Sequence, residues 1–183
     1  MPTLCEEVMD ELEARLRPHS EIIEADRRGA SLILIPKVPD SFSISIYEEA
    51  GDVMVAADRW HTHFEDRLQA VACVLWLLTP YYRLVQELKS GVLVATWLEQ
   101  YSPEGWLPSD PVFFLNPENA EDWGTKNGEQ YAHRIVQHAV LDSPRPFDQM
   151  FPGAELNEVG YPEGTVLGIH MEPVAEPTGP SLF

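Results

Sequence analysis

Residues 41 to 58 restrict the fold more than any other stretch. From Ser41 to Tyr47, Phe42, Ile44 and Ile46 alternate with Ser43, Ser45 and Tyr47, so one face of the strand is apolar and the other wetter. Ala50-Gly51-Asp52 supplies a turn and Val53 to Ala57 returns, which predicts a β-hairpin. A connection this short joins antiparallel neighbours, because parallel strands need a crossover of about a dozen residues or more.

The flanking segments extend the pattern. Thr3 and Glu6 have capping-box spacing ahead of a Leu4, Val8, Leu12, Leu16 stripe, which predicts a helix over 3–17 that Pro18 ends. Its outer face carries Glu6, Glu7, Asp10, Glu11 and Glu13. Glu21 to Ala25 and Ser31 to Pro36 read as two strands around Arg28-Gly29. From Glu65 to Leu78, the apolar positions Leu68, Val71, Ala72 and Val74 to Leu78 cover most of a helix circumference, so this element is expected to be the buried spine, stopped by Pro80. Arg83 to Leu88 and Val92 to Gln100 flank Lys89-Ser90-Gly91 as a second hairpin. The expected class is α+β, with a mainly antiparallel sheet and helices packed on one face. The predicted order is α-β-β-β-β-α-β-β, followed by a loop-rich extension.

Eleven prolines from Pro103 onward break that extension into short apolar pieces. Val112 to Leu115 reads as a short strand, Thr165 to Met171 as a late one, and 130–141 as either helix or strand. The whole fits a single domain over 1–171, regular over 1–100 and loop-rich over 101–171, with an extended tail over 172–183.

The formal charge of -18, from 30 acidic and 12 basic residues, repels phosphate backbones and anionic lipid. Nucleic acid and membrane surfaces are therefore poor partners, and a basic protein a better one. The longest apolar run, Ala70 to Leu78, is about half of the roughly 20 residues that a membrane helix requires. Met1 to Glu7 lacks the basic-then-apolar pattern of a signal peptide. Cys5 and Cys73 each fall among apolar residues of a predicted helix, as reduced thiols do, and a cytoplasmic location is expected.

The most distinctive local run is Asp58-Arg59-Trp60-His61-Thr62-His63-Phe64-Glu65-Asp66. Histidines two apart on an extended segment point the same way, so His61 and His63 could share a divalent metal, with Asp58, Glu65 or Asp66 as oxygen ligands. The competing structural reading has Trp60 and Phe64 anchoring a strand-helix corner while the histidines hydrogen-bond at the helix N-terminus. The Trp60-His61-Thr62-His63-Phe64 segment after a strand, followed by an apolar helix and a hairpin, resembles bacterial domains of unknown function over residues 40 to 100. That resemblance implies a fold and brings no activity or catalytic residues. His133, His138 and His170 would join the pair only if the chain gathered them.

No Gly-x-Ser-x-Gly elbow or phosphate-binding glycine loop occurs, and Cys73 in an apolar helix would be an inert thiol. No cofactor is expected beyond the divalent metal that His61 and His63 would hold. Acidic pairs such as Glu6-Glu7, Glu48-Glu49 and Glu121-Asp122 fit a solvated surface. Trp97, Tyr101, Trp106 and Trp123, with Phe113 and Phe114, sit among acids and prolines, either as protein-binding anchors or as a small secondary core. The leading expectation is a non-enzymatic, acidic protein-binding domain, immunity-like, chaperone-like or regulatory. The alternative is a metal-binding domain or metal-dependent enzyme centred on His61 and His63. Open sheet edges would also admit a homodimer.

Overall fold

The computed structural model describes residues 2–38, 41–109, 112–113, 131–137, 140–141, 164 and 168–174. Helix α1 spans Leu4–Leu16, and both halves of its capping box form. Thr3 Oγ1 accepts from the Glu6 N–H at 3.2 Å, while Glu6 Oε2 accepts from the Thr3 N–H at 2.8 Å. Pro18 lies in a 3₁₀ turn over Arg17–His19. Five strands follow: β1 (Ile23–Arg28), β2 (Ser31–Pro36), β3 (Ile44–Glu49), β4 (Asp52–Ala57) and β5 (Trp60–Phe64). They pair antiparallel in chain order to form the first sheet. The β3–β4 turn places Ala50 at φ 55° and Gly51 at φ 98°, the left-handed pair that suits a two-residue hairpin loop.

Helix α2 (Arg67–Leu77) leads into β6 (Tyr82–Lys89), β7 (Val92–Ser102), β8 (Gly105–Pro108), β9 (Val112–Phe113), β10 (Tyr131–Gln137) and β11 (Gly168–Pro173). These form a second antiparallel sheet in the order β11-β10-β6-β7-β8, with β9 also pairing β7. The α+β class and antiparallel pairing are as expected, and 130–141 holds a strand.

The arrangement corrects two expectations. Five strands precede α2 rather than four, because Asp58, at φ 53°, turns the chain tightly enough for Trp60 to pair with Ala57. Asp tolerates this left-handed conformation better than most residues. The Trp-His-Thr-His-Phe run is therefore the edge strand β5, not a corner. The single sheet is also two, because β10 and β11 from the loop-rich half add to the β6 edge through pairs such as Ile135 with Val85 and with His170. The late strand runs on to Pro173, so Glu172 and Pro173 belong to β11 rather than to a tail.

One core joins these layers. Val8 and Leu12 of α1, Leu32, Leu34, Ile44, Ile46, Val53 and Val55 of the first sheet, Val74 and Leu77 of α2, and Leu84, Leu98 and Val136 of the second sheet form one buried cluster. Burying each such side chain contributes about 1.5–3 kcal/mol. The acidic face of α1 is stapled rather than merely solvated. Arg27 of β1 donates to Asp10 and, at 2.8 Å, to Glu13, while Glu11 accepts from Arg15 and from Arg67 of α2. The hydrogen bonds from Arg27 hold its guanidinium pKa above the ordinary value.

Candidate functional site

His61 and His63 lie on β5 with Trp60 buried and Phe64 half-buried on the opposite face, as strand alternation requires. Both imidazoles are exposed, and their ring centroids are 6.0 Å apart, edge to face. Two of the three carboxylates expected beside them, Asp58 and Asp66, are engaged elsewhere. Asp58 accepts from Gln86, and Asp66 caps α2 by accepting from the Gln69 N–H at 2.9 Å. The carboxylate that approaches is instead Glu49, whose Oε2 stands 3.8 Å from His63 Nε2. Among the described residues, no three His, Cys, Asp or Glu side chains already stand around a common point. His133 and His170 are in the second sheet, the former edge-on to Trp97 and the latter 3.6 Å from Glu172; His138 lies outside the described residues.

A polar link joins the two sheets. Gln86, buried on β6, donates from Nε2 to Asp58 Oδ2 at 2.7 Å and accepts from Arg134 Nη1 at 3.2 Å. Asp58 and Arg134 also line a cleft of about 460 Å³ with Ser41, Ser43 and Ser45. No local sequence signal marked Gln86 or Arg134, because their partners come from distant strands.

The aromatic residues separate into packed and half-covered groups. Tyr101 is buried beside Tyr81, with Trp76, Tyr82 and Trp106 packed around them. Arg83 lies 4.4 Å above the Trp106 ring and donates to Glu99 at 2.5 Å, while the other Glu99 oxygen accepts from Trp97 Nε1 at 2.9 Å. Among the described residues, Trp106 Nε1 is buried without a hydrogen-bond partner, and a Cβ at Gly164 would come within 3.3 Å of it. Trp97 and Trp106 are thus held by neighbours of their own chain. Trp123 and Phe114 lie outside the described residues, as does the Glu121-Asp122 pair.

An apolar opening lies between the helices. Glu11 and Arg15 of α1 form one wall of a groove of about 400 Å³, and Leu68, Val71, Ala72, Leu75 and Trp76 of α2 form the other, with Thr79, Tyr81 and Leu141 at one end. Leu68 is 61% exposed, which corrects the expectation that it belongs to the buried spine. The sequence signal was present, since α2 carries more apolar positions than one sheet face can cover. A larger depression, about 580 Å³, lies beside Asp10, Glu13, Arg17 and Lys37, but Arg27 already engages both of its α1 carboxylates.

Both cysteines are free thiols. Burial pushes the Cys73 thiol up to about 12 and raises that of Cys5, so neither supplies thiolate near neutral pH. Among the described residues, no helix is long and apolar enough to cross a membrane. No family model, curated protein or solved structure matches this chain. The functional reading therefore rests on its own residues and geometry.

Proposed function

We propose that this chain is a non-enzymatic protein-binding domain whose contact surface is the groove between α1 and α2. The occupant is a segment of a basic partner protein that inserts apolar side chains beside Leu68, Leu75 and Trp76. The observation that carries this reading is Leu68, a large apolar side chain left 61% exposed over an apolar groove in a chain of charge -18. Covering Leu68 would contribute up to about 1.5–3 kcal/mol to association. Glu7, exposed one turn before Glu11 on α1, belongs to the net negative charge that steers a cationic partner toward the chain. An immunity-like, chaperone-like or regulatory role would each use such a surface. The free thiols and the repulsion of phosphate accompany a cytoplasmic domain that binds neither nucleic acid nor membrane.

The test compares immobilised wild-type chain with Leu68→Glu and, as a control on the second sheet, Met171→Glu. Both sites are exposed, so both variants should fold. A basic protein retained by wild type and Met171→Glu, lost with Leu68→Glu and released by moderate salt is the expected result. Equal retention by all three would overturn the reading. A concentration-dependent dimer abolished by Leu68→Glu would assign the groove to a second copy instead.

A further inference from the structure

We infer that the cleft between the two sheets binds a free α-amino acid, with Arg134 taking its carboxylate and Asp58 its ammonium group. The cleft and the α1–α2 groove share no lining residue, so the inference does not depend on the protein-binding reading. Three observations converge on it.

The first is a pair of opposite charges that face one cavity without neutralising each other. Asp58 and Arg134 both line the cleft of about 460 Å³, and among the described residues neither belongs to an ion pair. The buried Gln86 amide stands between them, engaging Asp58 Oδ2 and Arg134 Nη1. Among the described residues, Asp58 Oδ1 and most of the guanidinium N–H donors are left open for further hydrogen bonds.

The second is spacing. The oxygen and nitrogen of one amide are about 2.2 Å apart, so the two bonds to Gln86 hold Asp58 Oδ2 and Arg134 Nη1 within about 8 Å of each other. An α-amino acid carries its nitrogen and carboxylate oxygens about 3 Å apart, and a charge-assisted hydrogen bond at either end adds about 2.7–2.9 Å. One such molecule therefore bridges the two side chains.

The third is the remainder of the lining. Ser45 leaves β3 on the face opposite the buried Ile44 and Ile46, next to its β4 partner Ala56, and both line the cleft together with Ser43. The serine hydroxyls can donate to a carboxylate or accept from an ammonium group. Val136 of β10 and Ile169 of β11, paired across their strands, supply an apolar wall for a small aliphatic side chain.

Net charge selects among ligands. A simple anion is repelled by a chain of charge -18, whereas a zwitterion carries no net charge for that field to act on. The cleft volume also falls within the range of about 300–1,000 Å³ usual for small-molecule sites. Bound there, the amino acid would tie the β4–β5 turn to β10 and stabilise the contact between the sheets.

Amide NMR of the full chain, titrated with each proteinogenic L-amino acid at millimolar concentration, tests the cleft, with acetate and methylammonium as probes of each half. At least one amino acid should saturate, move the amide signals of Ser43, Ser45, Asp58 and Arg134, and raise Tm with the logarithm of its concentration. Acetate and methylammonium should each bind at least about tenfold more weakly. Asp58→Asn, which keeps an acceptor for Gln86, and Arg134→Met should each weaken binding by at least about tenfold. Ser45→Leu, which narrows the cleft and leaves both charges, should weaken it as well, whereas Arg15→Met, in the α1–α2 groove, should not. The inference is overturned if no amino acid binds saturably, if the shifted amides lie outside the cleft, or if acetate alone binds as tightly as the amino acid. It also fails if Asp58→Asn and Arg134→Met, confirmed folded by circular dichroism, bind as wild type does.

Discussion

Gln86 hands its side-chain amide to Asp58 at 2.7 Å, and this one bond ties the β4–β5 turn of the first sheet to β6 of the second. Because Gln86 also accepts from Arg134 of β10, a single buried amide holds a carboxylate and a guanidinium from two other elements.

Replacing Gln86 with Leu leaves a side chain of comparable length and removes both bonds. The expected loss is about 1–3 kcal/mol of unfolding free energy, since Asp58 and Arg134 lose their shared partner. Urea denaturation of Gln86→Leu measures it. Asp58→Asn, which retains an acceptor and tolerates a left-handed φ, should cost less than Asp58→Ala, in which a Cβ residue without that tolerance occupies φ 53°. If the two Asp58 variants are equally stable, the turn does not depend on this geometry.

The two leucines Leu12 and Leu68 should separate sharply. Leu12 is fully buried, so Leu12→Ala should cost about 2–5 kcal/mol, the usual range for a core truncation. Leu68→Ala, on the open groove, should stay within about 0.5 kcal/mol of wild type. A large loss at Leu68 would mean that the groove is closed in solution.

Thr3→Ala removes the capping side chain of α1, and Asp66→Ala that of α2. Each should lower stability by about 0.5–2 kcal/mol, whereas Thr3→Ser should change it little. Denaturant midpoints of the three variants check this.

Alkaline pH should destabilise the fold. Burial raises Cys73 from 9.0 to about 12; burial, and secondarily the nearby Cys73, raises Tyr82 from 10.0 to about 12. Between pH 9 and 12 the folded chain keeps protons that the unfolded chain has released. Stability from these groups is therefore complete below pH 9 and falls as pH rises through that window. Cys73→Ala should flatten the fall, measured as Tm against pH, and native Cys73 should resist iodoacetamide at pH 8. Rapid alkylation of Cys73 in the folded chain would contradict the burial.

What the sequence determined by itself was whatever local chemistry can write. Thr3 and Glu6 set the start of α1, Phe42 to Tyr47 alternates as β3 does, Ala50-Gly51 makes its turn, and the apolar run before Pro80 makes α2. These signals act over a few residues, so they are readable without knowing what packs against them. Tertiary structure decided the rest. Whether Trp60 to Phe64 was a corner or a strand depended on β4 offering an edge, and whether 130–141 was helix or strand depended on β6 doing the same. The candidate sites divide in the same way. The His61-x-His63 pattern was visible because both residues belong to one strand. Glu49 was not marked as a neighbour of His63, because only pairing across β4 brings that carboxylate there, and Leu68 was expected to be buried because sequence periodicity counts apolar faces without showing which of them finds a cover.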